Sequence, residues 1–193
     1  MNVLPLTASQ TVGPFFSPAL LREDCRRNIL TSPQTVGARI RIEGIVVDGD
    51  GLPVPDALVE IWQANAHGRY NHPSDQGSAP LDPSFSGFGR SGTDENGAYW
   101  FETVKPGGVS FDEQQLQAPH ICITVFARGL LNHLVTRLYF EDEPANASDP
   151  VLLLVPEQRR LTLLARCELI GEMLVYRFDI ILQGAHETAF FNL

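Results

Sequence analysis

Two side chains that can bind a transition metal stand two residues apart in the segment 118–129. They are His120 and Cys122. The aliphatic residues that alternate with them recur at every second position, which predicts a β-strand with one apolar face. His120 and Cys122 then share the opposite face with Thr124. Two ligands from one strand are fewer than a catalytic metal site needs, so a hydrogen-bonded structural histidine is the alternative interpretation.

Other residues give weaker support for chemistry. His67 and His72 lie in a long predicted loop and could add metal ligands, but nothing in their spacing fixes a geometry. Arg128 follows the strand directly and Arg137 lies in the next one; each is either an ordinary surface arginine or a bidentate partner for a carboxylate. No serine lies in a Gly-x-Ser-x-Gly elbow, and the glycines of 105–108 do not open a helix that could hold a phosphate.

Short strands separated by turns would position these residues. Glycine-containing turns are predicted at 48–51 and 93–97. A short helix is predicted at 19–29, directly after Pro18, and a helical turn or two at 149–160. Because no regular helices separate the strands, the pattern predicts an all-β protein with an antiparallel β-sandwich. The predicted strands are 40–47, 57–63, 98–103, the strand that begins at His120, 134–140, 161–167 and 174–183.

Two long irregular segments accompany the predicted sandwich domain, which we place at 39–193. The connection 63–93 is rich in turn-forming and aromatic residues, which favours an ordered binding loop. The segment 1–38 is an N-terminal arm interrupted by prolines. Its adjacent Phe15 and Phe16 need burial, either on this chain's own sheet or on another chain. For the domain as a whole, we predict that the arm and its short helix pack on a partner chain.

The composition limits the compartment and the partners. Of the 193 residues, 44% are hydrophobic and 19% are charged, which fits one globular domain. A formal net charge of -9 argues against nucleic acid as a partner. Three scattered cysteines fit a reducing cytosol better than a disulfide framework, and the N-terminus lacks the pattern of a signal peptide. The aliphatic run 151–155 is too short to cross a membrane. We therefore expect a cytoplasmic protein with no membrane partner.

Several motifs together resemble the intradiol ring-cleaving dioxygenases, and within that family the alpha chain of the members built from two kinds of chain. The likeness covers nearly the whole sequence. The family fold is a β-sandwich, and the resemblance implies a ferric iron held by two tyrosines and two histidines. That ligand set suits a hard cation, because phenolates are anionic oxygen donors. The motifs are SQTVGPF at 9–15, VEIWQANAHGRY at 59–70, APHI at 118–121, FARG at 126–129, TRLYF at 136–140 and YRFDI at 176–180.

Residue by residue, the family's ligand set is incomplete in this chain. The family's two histidines form a His-x-His on the strand described above, where this chain has His120 and then Cys122. Its two tyrosine positions correspond to Val109 and Gly77, which have no side-chain donor. The resemblance therefore implies that this chain holds no metal and no catalytic residue, and that Fe(III) is bound by a homologous beta chain with the complete set. It also implies that alpha–beta pairs assemble into a larger oligomer.

The resemblance assigns a different role to the arm and to the end of the strand. In the two-chain members, the arm of the alpha chain contributes to the pocket around the beta chain's iron. The matching residues are Thr11, Gly13, Pro14 and Phe15, and Phe15 departs from the tyrosine of other alpha chains at that position. Arg128 corresponds to an arginine near the same pocket and would pair with the carboxylate of a small aromatic acid.

Two alternative functions follow from parts of the sequence. The segments 47–61 and 93–101 also match small prealbumin-like sandwich modules, which act in binding or structure without chemistry. The long connection and the arm are additional to such a module, so we favour the dioxygenase subunit. A dioxygenase built from this chain alone is a third possibility, but the absent tyrosine ligands argue against it.

Overall fold

The computed structural model describes residues 7–25, 27–112 and 114–192. Strands dominate this part of the chain, and only short helical segments interrupt them. The helical segments are α1 (Phe16–Leu20), α2 (Glu157–Arg160) and 3-10 helices at Pro144–Ser148, Leu152–Leu154 and Leu161–Leu163. The strands are β1 (Arg39–Val47), β2 (Leu58–Trp62), β3 (Phe88–Gly92), β4 (Ala98–Val104), β5 (Val109–Ser110), β6 (Leu116–Gln117), β7 (His120–Phe126), β8 (Leu134–Phe140), β9 (Leu164–Ile170), β10 (Met173–Arg177) and β11 (Ile180–Ile181).

The strands form two layers that share β9. One layer has the order β3-β2-β7-β8 and is antiparallel throughout. The other contains β4, β1, β10 and β9, with β11 beside the end of β1. The first residues of β9 pair with β8 in parallel, and its later residues pair with β10, so this strand passes from one layer to the other. The predicted all-β sandwich is confirmed. Its strands are not all antiparallel as predicted, because the pairs β1–β10, β1–β11 and β8–β9 join strands far apart in sequence and are parallel.

The hydrophobic core lies between the two layers. Ile121, Ile123 and Val125 of β7 are completely buried in it, as the alternation of the sequence predicts. They belong to one cluster with Ile42 of β1 and Phe101 of β4 on the opposite layer. Because alternate residues of a strand point to opposite faces, the other side chains of β7 are directed away from this core.

The predicted helix at 19–29 is wrong. The helix is α1, which ends at Leu20, and the chain beyond residue 26 is extended. Arg27 exchanges two backbone hydrogen bonds with Arg90 of β3, at 3.0 and 3.1 Å, and the Leu30 amide donates to the Glu102 carbonyl of β4 at 2.9 Å. Extended backbone thus bridges one edge of each layer, and these long-range bonds override the local helical preference.

Three other elements differ from the prediction. The segment 63–93 was expected to be a loop, but it contains β3, whose glycine-rich sequence FGRSG hides its strand character. The strand predicted at 161–167 begins only at Leu164, after the 3-10 helix Leu161–Leu163. The segment 174–183 is divided into β10 and β11, because Phe178 turns inward and its amide donates to the Glu43 carbonyl of β1 at 2.9 Å.

Candidate functional site

The outer face of β7 carries His120 and Cys122, the two residues at the family's histidine positions. In the register of the sheet, Cys122 lies between Trp62 of β2 and Arg137 of β8. His120 lies opposite Tyr139 of β8, and the centroids of their two rings are 5.8 Å apart. The alternation of the strands therefore brings an imidazole, a thiol, a guanidinium and two aromatic side chains to one surface.

His120 is held as a neutral imidazole. The residue is 3% exposed, and its Nδ1 lies 2.8 Å from the carbonyl oxygen of Ala118. Since a carbonyl oxygen can only accept, Nδ1 donates and Nε2 carries the lone pair. Burial, reinforced by the positive charge of Arg137, lowers the pKa of His120 to about 4. This geometry agrees with the interpretation of His120 as a hydrogen-bonded structural histidine.

The neighbouring thiol and phenol are protonated in these surroundings. Burial raises the pKa of the Cys122 thiol, although the guanidinium of Arg137 acts in the opposite direction. Tyr70 stacks on Trp62, with ring centroids 5.7 Å apart and an interplanar angle of 16°. Burial, and then the nearby Cys122, raise the pKa of the Tyr70 phenol. The metal-binding forms of both groups, thiolate and phenolate, are therefore disfavoured.

A chain of hydrogen bonds connects the polar side chains at this end of the face. Nη1 of Arg137 donates to Oε1 of Gln117 at 2.7 Å and to the Tyr139 hydroxyl at 3.3 Å. That hydroxyl donates to Oδ1 of Asp149 at 3.1 Å, and the Asp149 carboxylate accepts the Ala118 amide at 2.7 Å. Asp149 is completely buried and accepts two more amides from the turn that follows it. The carboxylate is thus fully used in positioning its neighbours.

The two positions that the sequence analysis matches to tyrosine ligands lie in an adjacent cleft. Val109 is buried in β5, and Gly77 is exposed in a turn, where its amide donates to Oδ1 of Asp75 at 2.8 Å. Both residues line a cavity of about 660 Å³, and Trp62 forms part of its wall. In residues 7–25, 27–112 and 114–192, no group of three or more His, Cys, Asp and Glu side chains is arranged to hold a metal ion.

The two histidines of the long connection also border this cleft. His67 and His72 line the same cavity of about 660 Å³, and the His72 ring lies edge-on to Trp62 with a centroid distance of 6.5 Å. The Asn65 side-chain oxygen accepts the amides of His67 and Arg69, which holds the start of the connection in a defined turn. The structure thus places both histidines near the outer face of β7, but it does not join them to His120 in a metal-binding cluster among the described residues.

The residues predicted to face a partner's pocket lie at the opposite end of β7. Thr11 accepts a hydrogen bond of 2.8 Å at its Oγ1 from the amide of Gly129, which brings the arm beside Arg128. Gly13, Pro14 and Phe15 continue the arm, and all of them are exposed, as Arg128 is. Along an extended strand, the seven residues of β7 separate this end from His120 by about 20 Å.

The two phenylalanines of the arm have different environments. The Phe16 ring packs on Phe126 of this chain's own sheet, with centroids 5.6 Å apart, while Phe15 is 81% exposed. Arg128 is 72% exposed at its side chain and forms an ion pair with Asp56 in the loop before β2. A cavity of about 300 Å³ lies where the arm meets the end of β7 and is lined by Phe16, Phe126 and neighbouring residues.

Sequence reasoning did not identify three residues that shape these two regions. Tyr70 was missed because its stacking on Trp62 depends on the path of the irregular connection between them. Asp149 was missed because it binds Ala118 and Tyr139 on other strands, although an Asp that precedes a helical turn is a recognisable capping signal. Asp56 was missed because an Asp before a strand carries no signal for pairing with Arg128. The strongest signal for the face itself was the alternation around His120, which does predict that Cys122 lies on the same side.

Comparison with known proteins identifies the family. A family model described as Dioxygenase matches residues 12–184, so the chain belongs to this dioxygenase family, and the resemblance to intradiol enzymes is confirmed. The chain is 42% identical to the protocatechuate 3,4-dioxygenase alpha chain of Burkholderia cepacia over the full length of both. It is 44% identical to the alpha chain of Pseudomonas putida, covering 100% of this chain and 98% of that one. Family membership sets aside the prealbumin-like alternative.

The chain is also similar to a beta chain and to solved dioxygenase structures. It is 39% identical to the protocatechuate 3,4-dioxygenase beta chain of Burkholderia cepacia, covering 95% of this chain and 78% of that one. Among solved structures, the dioxygenase domain of a carbohydrate-binding fusion from Streptomyces sp. SirexAA-E matches with a TM-score of 0.64 and 27% identity, over 93% of this chain and 99% of that one. Catechol 1,2-dioxygenase from Pseudomonas arvilla C-1 shares the fold, with a TM-score of 0.63 at 21% identity over 81% of this chain and 56% of that one. The family is one of oxidoreductases that generally depend on iron.

None of the helices in the described residues is long and apolar enough to span a lipid bilayer.

Proposed function

We propose that this chain is the alpha subunit of a protocatechuate 3,4-dioxygenase and that it completes the active site of an iron-bearing beta chain. The enzyme uses O2 to cleave protocatechuate between its two hydroxyl-bearing carbons and forms 3-carboxy-cis,cis-muconate. Full-length similarity to two alpha chains supports this assignment. The observation that carries the proposal is the composition of the outer face of β7, because the residues present do not fit a ferric centre.

The mismatch is chemical. Fe(III) prefers anionic oxygen donors, but the positions that would supply them are Val109 and Gly77. Cys122 is a thiol with a raised pKa. Of the four positions that correspond to the family's ligands, only His120 therefore keeps a lone pair that suits a metal. The guanidinium of Arg137 adds a positive charge to the same surface, which disfavours a further cation. We therefore assign no catalytic step to this face and place Fe(III) on a beta chain that has two tyrosines and two histidines.

The arm supplies this chain's contribution to the partner's pocket. Thr11 is tied to the end of β7 through Gly129, so the arm and Arg128 form one exposed unit. A phenylalanine that is 81% exposed, Phe15, leaves a large apolar surface for a second chain to cover. The distance of about 20 Å along β7 argues that Arg128 serves another chain's site rather than the face around His120.

The exposed unit formed by the arm and Arg128 also bears on the substrate and on the assembly. Arg128 presents a guanidinium to solvent, and we assign it to the carboxylate of the aromatic acid, which a planar fork binds with two hydrogen bonds. Thr11, Gly13, Pro14 and Phe15 line the approach to that pocket. The alpha–beta pairs assemble into a larger oligomer in the cytoplasm, a compartment that suits the free thiols of all three cysteines.

Metal analysis of the separately purified chain tests the assignment of iron. We expect the folded chain alone to bind no stoichiometric iron after exposure to ferrous salt and air, and the complex with a beta chain to hold one iron per alpha–beta pair. The colour that arises from charge transfer between tyrosinate and Fe(III) should be present only in the complex. Stoichiometric coloured iron in the chain alone would overturn the proposal.

Kinetics of the assembled enzyme test the role of Arg128. We expect Arg128→Ala to lower kcat/KM for protocatechuate by about tenfold, the usual effect of losing a charge-assisted hydrogen bond. The value for catechol, which lacks the carboxylate, should change little. Arg177→Ala is the matched control, because Arg177 is also exposed and ion-paired but lies on β10 of the other layer. Equal losses for both substrates would contradict the assigned role.

A further inference from the structure

A second cavity opens on the outer face of β7, on the side of Trp62 away from the long connection. Its volume is about 810 Å³, within the range of small-molecule binding sites. Its walls are mainly aliphatic and aromatic, and Arg137 lies among them. The residues that line it include Trp62, Thr124, Val135, Arg137, Val155 and Phe190.

Arg137 brings an unpaired positive charge to this cavity. The ion pairs of the described residues do not include Arg137, whose oxygen partners are the neutral amide of Gln117 and the neutral hydroxyl of Tyr139. Both bonds use Nη1. Since a guanidinium has five N–H donors, Nε and Nη2 remain for another oxygen acceptor.

The side chains that contact Arg137 do not pair its charge directly. Burial raises the pKa of the Tyr139 and Tyr70 phenols and of the Cys122 thiol, so none of the three is an anion near neutral pH. The other arginine of the cavity, Arg159, is paired with Glu187 at 3.3 Å. The nearest carboxylate, Asp149, is reached by Arg137 only through the Tyr139 hydroxyl and also accepts three backbone amides. A partly buried cation with free donors and no direct ion pair favours an anionic ligand.

We propose that this cavity binds a small aromatic carboxylate, with Arg137 holding the carboxylate and the apolar wall that contains Trp62, Val135 and Phe190 packing against the ring. An inorganic anion would use the guanidinium alone and leave the apolar wall in contact with water, whereas a neutral aromatic ring would leave the charge unpaired. Only a ligand with both features satisfies both parts of the cavity. The site needs neither iron nor a partner chain, so it stands independently of the proposed function.

Binding to the purified full-length chain tests this inference. The probes are benzoate, its neutral analogue benzamide, and acetate, which has the carboxylate without the ring. Titration calorimetry gives the stoichiometry, and quenching of tryptophan fluorescence reports contact with Trp62. We expect one benzoate per chain, with benzamide and acetate each binding at least about tenfold more weakly, because each lacks one of the two interactions.

Two substitutions separate this site from others. Arg137→Gln should weaken benzoate binding by at least about tenfold, and Arg177→Gln, on the other layer, should leave it unchanged. Thr124→Phe fills the cavity without removing the charge and suits a strand, so it should abolish binding even where Arg137→Gln fails to fold. Unchanged affinity in Arg137→Gln or Thr124→Phe, or equal affinity for benzamide, would overturn the proposal. Loss of binding in Arg128→Gln would also overturn it, because the ligand would then lie at the arm.

Discussion

His120 should make the stability of the protein depend on pH within a defined window. In the folded chain its pKa is lowered from the ordinary 6.5 to about 4. Between these two values the unfolded chain binds a proton that the folded chain does not, so stability falls as the pH decreases through this range. Linkage gives a loss of about 2 kcal/mol by pH 5 and about 3 kcal/mol by pH 4, and the loss levels off at about 3.4 kcal/mol below pH 3.

Urea unfolding of the wild-type chain and of His120→Gln isolates this contribution from that of the carboxylates. Glutamine keeps a donor that can reach the Ala118 carbonyl but does not titrate. The free energy of unfolding of the wild type, minus that of the variant, should shrink by about 2 kcal/mol between pH 7 and pH 5. His186→Gln, on an exposed ring, controls for the loss of any one histidine. If the curves for wild type and His120→Gln run parallel over this range, His120 is not held neutral by burial and the reasoning fails.

Two further predictions concern the backbone of the long connection and the pairing of Arg128. Gly68 and Gly51 both have positive φ, +80° and +78°, but a Cβ on Gly68 would collide with the Gly108 carbonyl, whereas a Cβ on Gly51 meets nothing within 4 Å. Urea unfolding should therefore show a loss of about 1 kcal/mol for Gly51→Ala and at least about 1 kcal/mol more for Gly68→Ala, and equal losses would contradict the collision. On the proposed function, Asp56→Asn removes the carboxylate that competes with substrate for Arg128. Its KM for protocatechuate should fall by up to about fivefold, the limit for an exposed ion pair, with kcat unchanged; a raised KM would show that Asp56 positions Arg128 instead.

The sequence predicts a strand correctly where the alternation of apolar residues within that strand is enough to identify it. Alternation identifies the buried face of β7, because Ile121, Ile123 and Val125 need no partner information to be recognised as apolar. It fails where the pairing partner decides the conformation. The backbone at Arg27 is extended because it forms two hydrogen bonds with Arg90 of the edge strand β3. The sequence around Arg27 does not indicate that this strand is nearby. The parallel pairs are hidden for the same reason.

For the candidate sites, too, some features could be predicted from the sequence and others depend on the fold. Residue types and spacing place His120 and Cys122 on one surface, and they identify an arginine at the end of the same strand. They do not reveal that Asp149 anchors that surface through Tyr139, because 10 residues that include the 3-10 helix Pro144–Ser148 separate the pair. They also leave open whether Arg137 is paired, since this depends on every acidic side chain that the fold brings near it.

The two faces of β7 explain how a family strand can keep its structure while its chemistry differs. Each buried aliphatic side chain of the inner face contributes about 1.5–3 kcal/mol, whatever stands on the outer face. The outer face must still satisfy its own polar groups, and here the hydrogen bonds from Arg137 through Tyr139 to Asp149 contribute to this. Fold and chemistry are therefore carried by alternate residues of one strand. On the proposed function, this separation allows the chain to retain the sandwich that presents Arg128, while the ferric ion is bound by its partner.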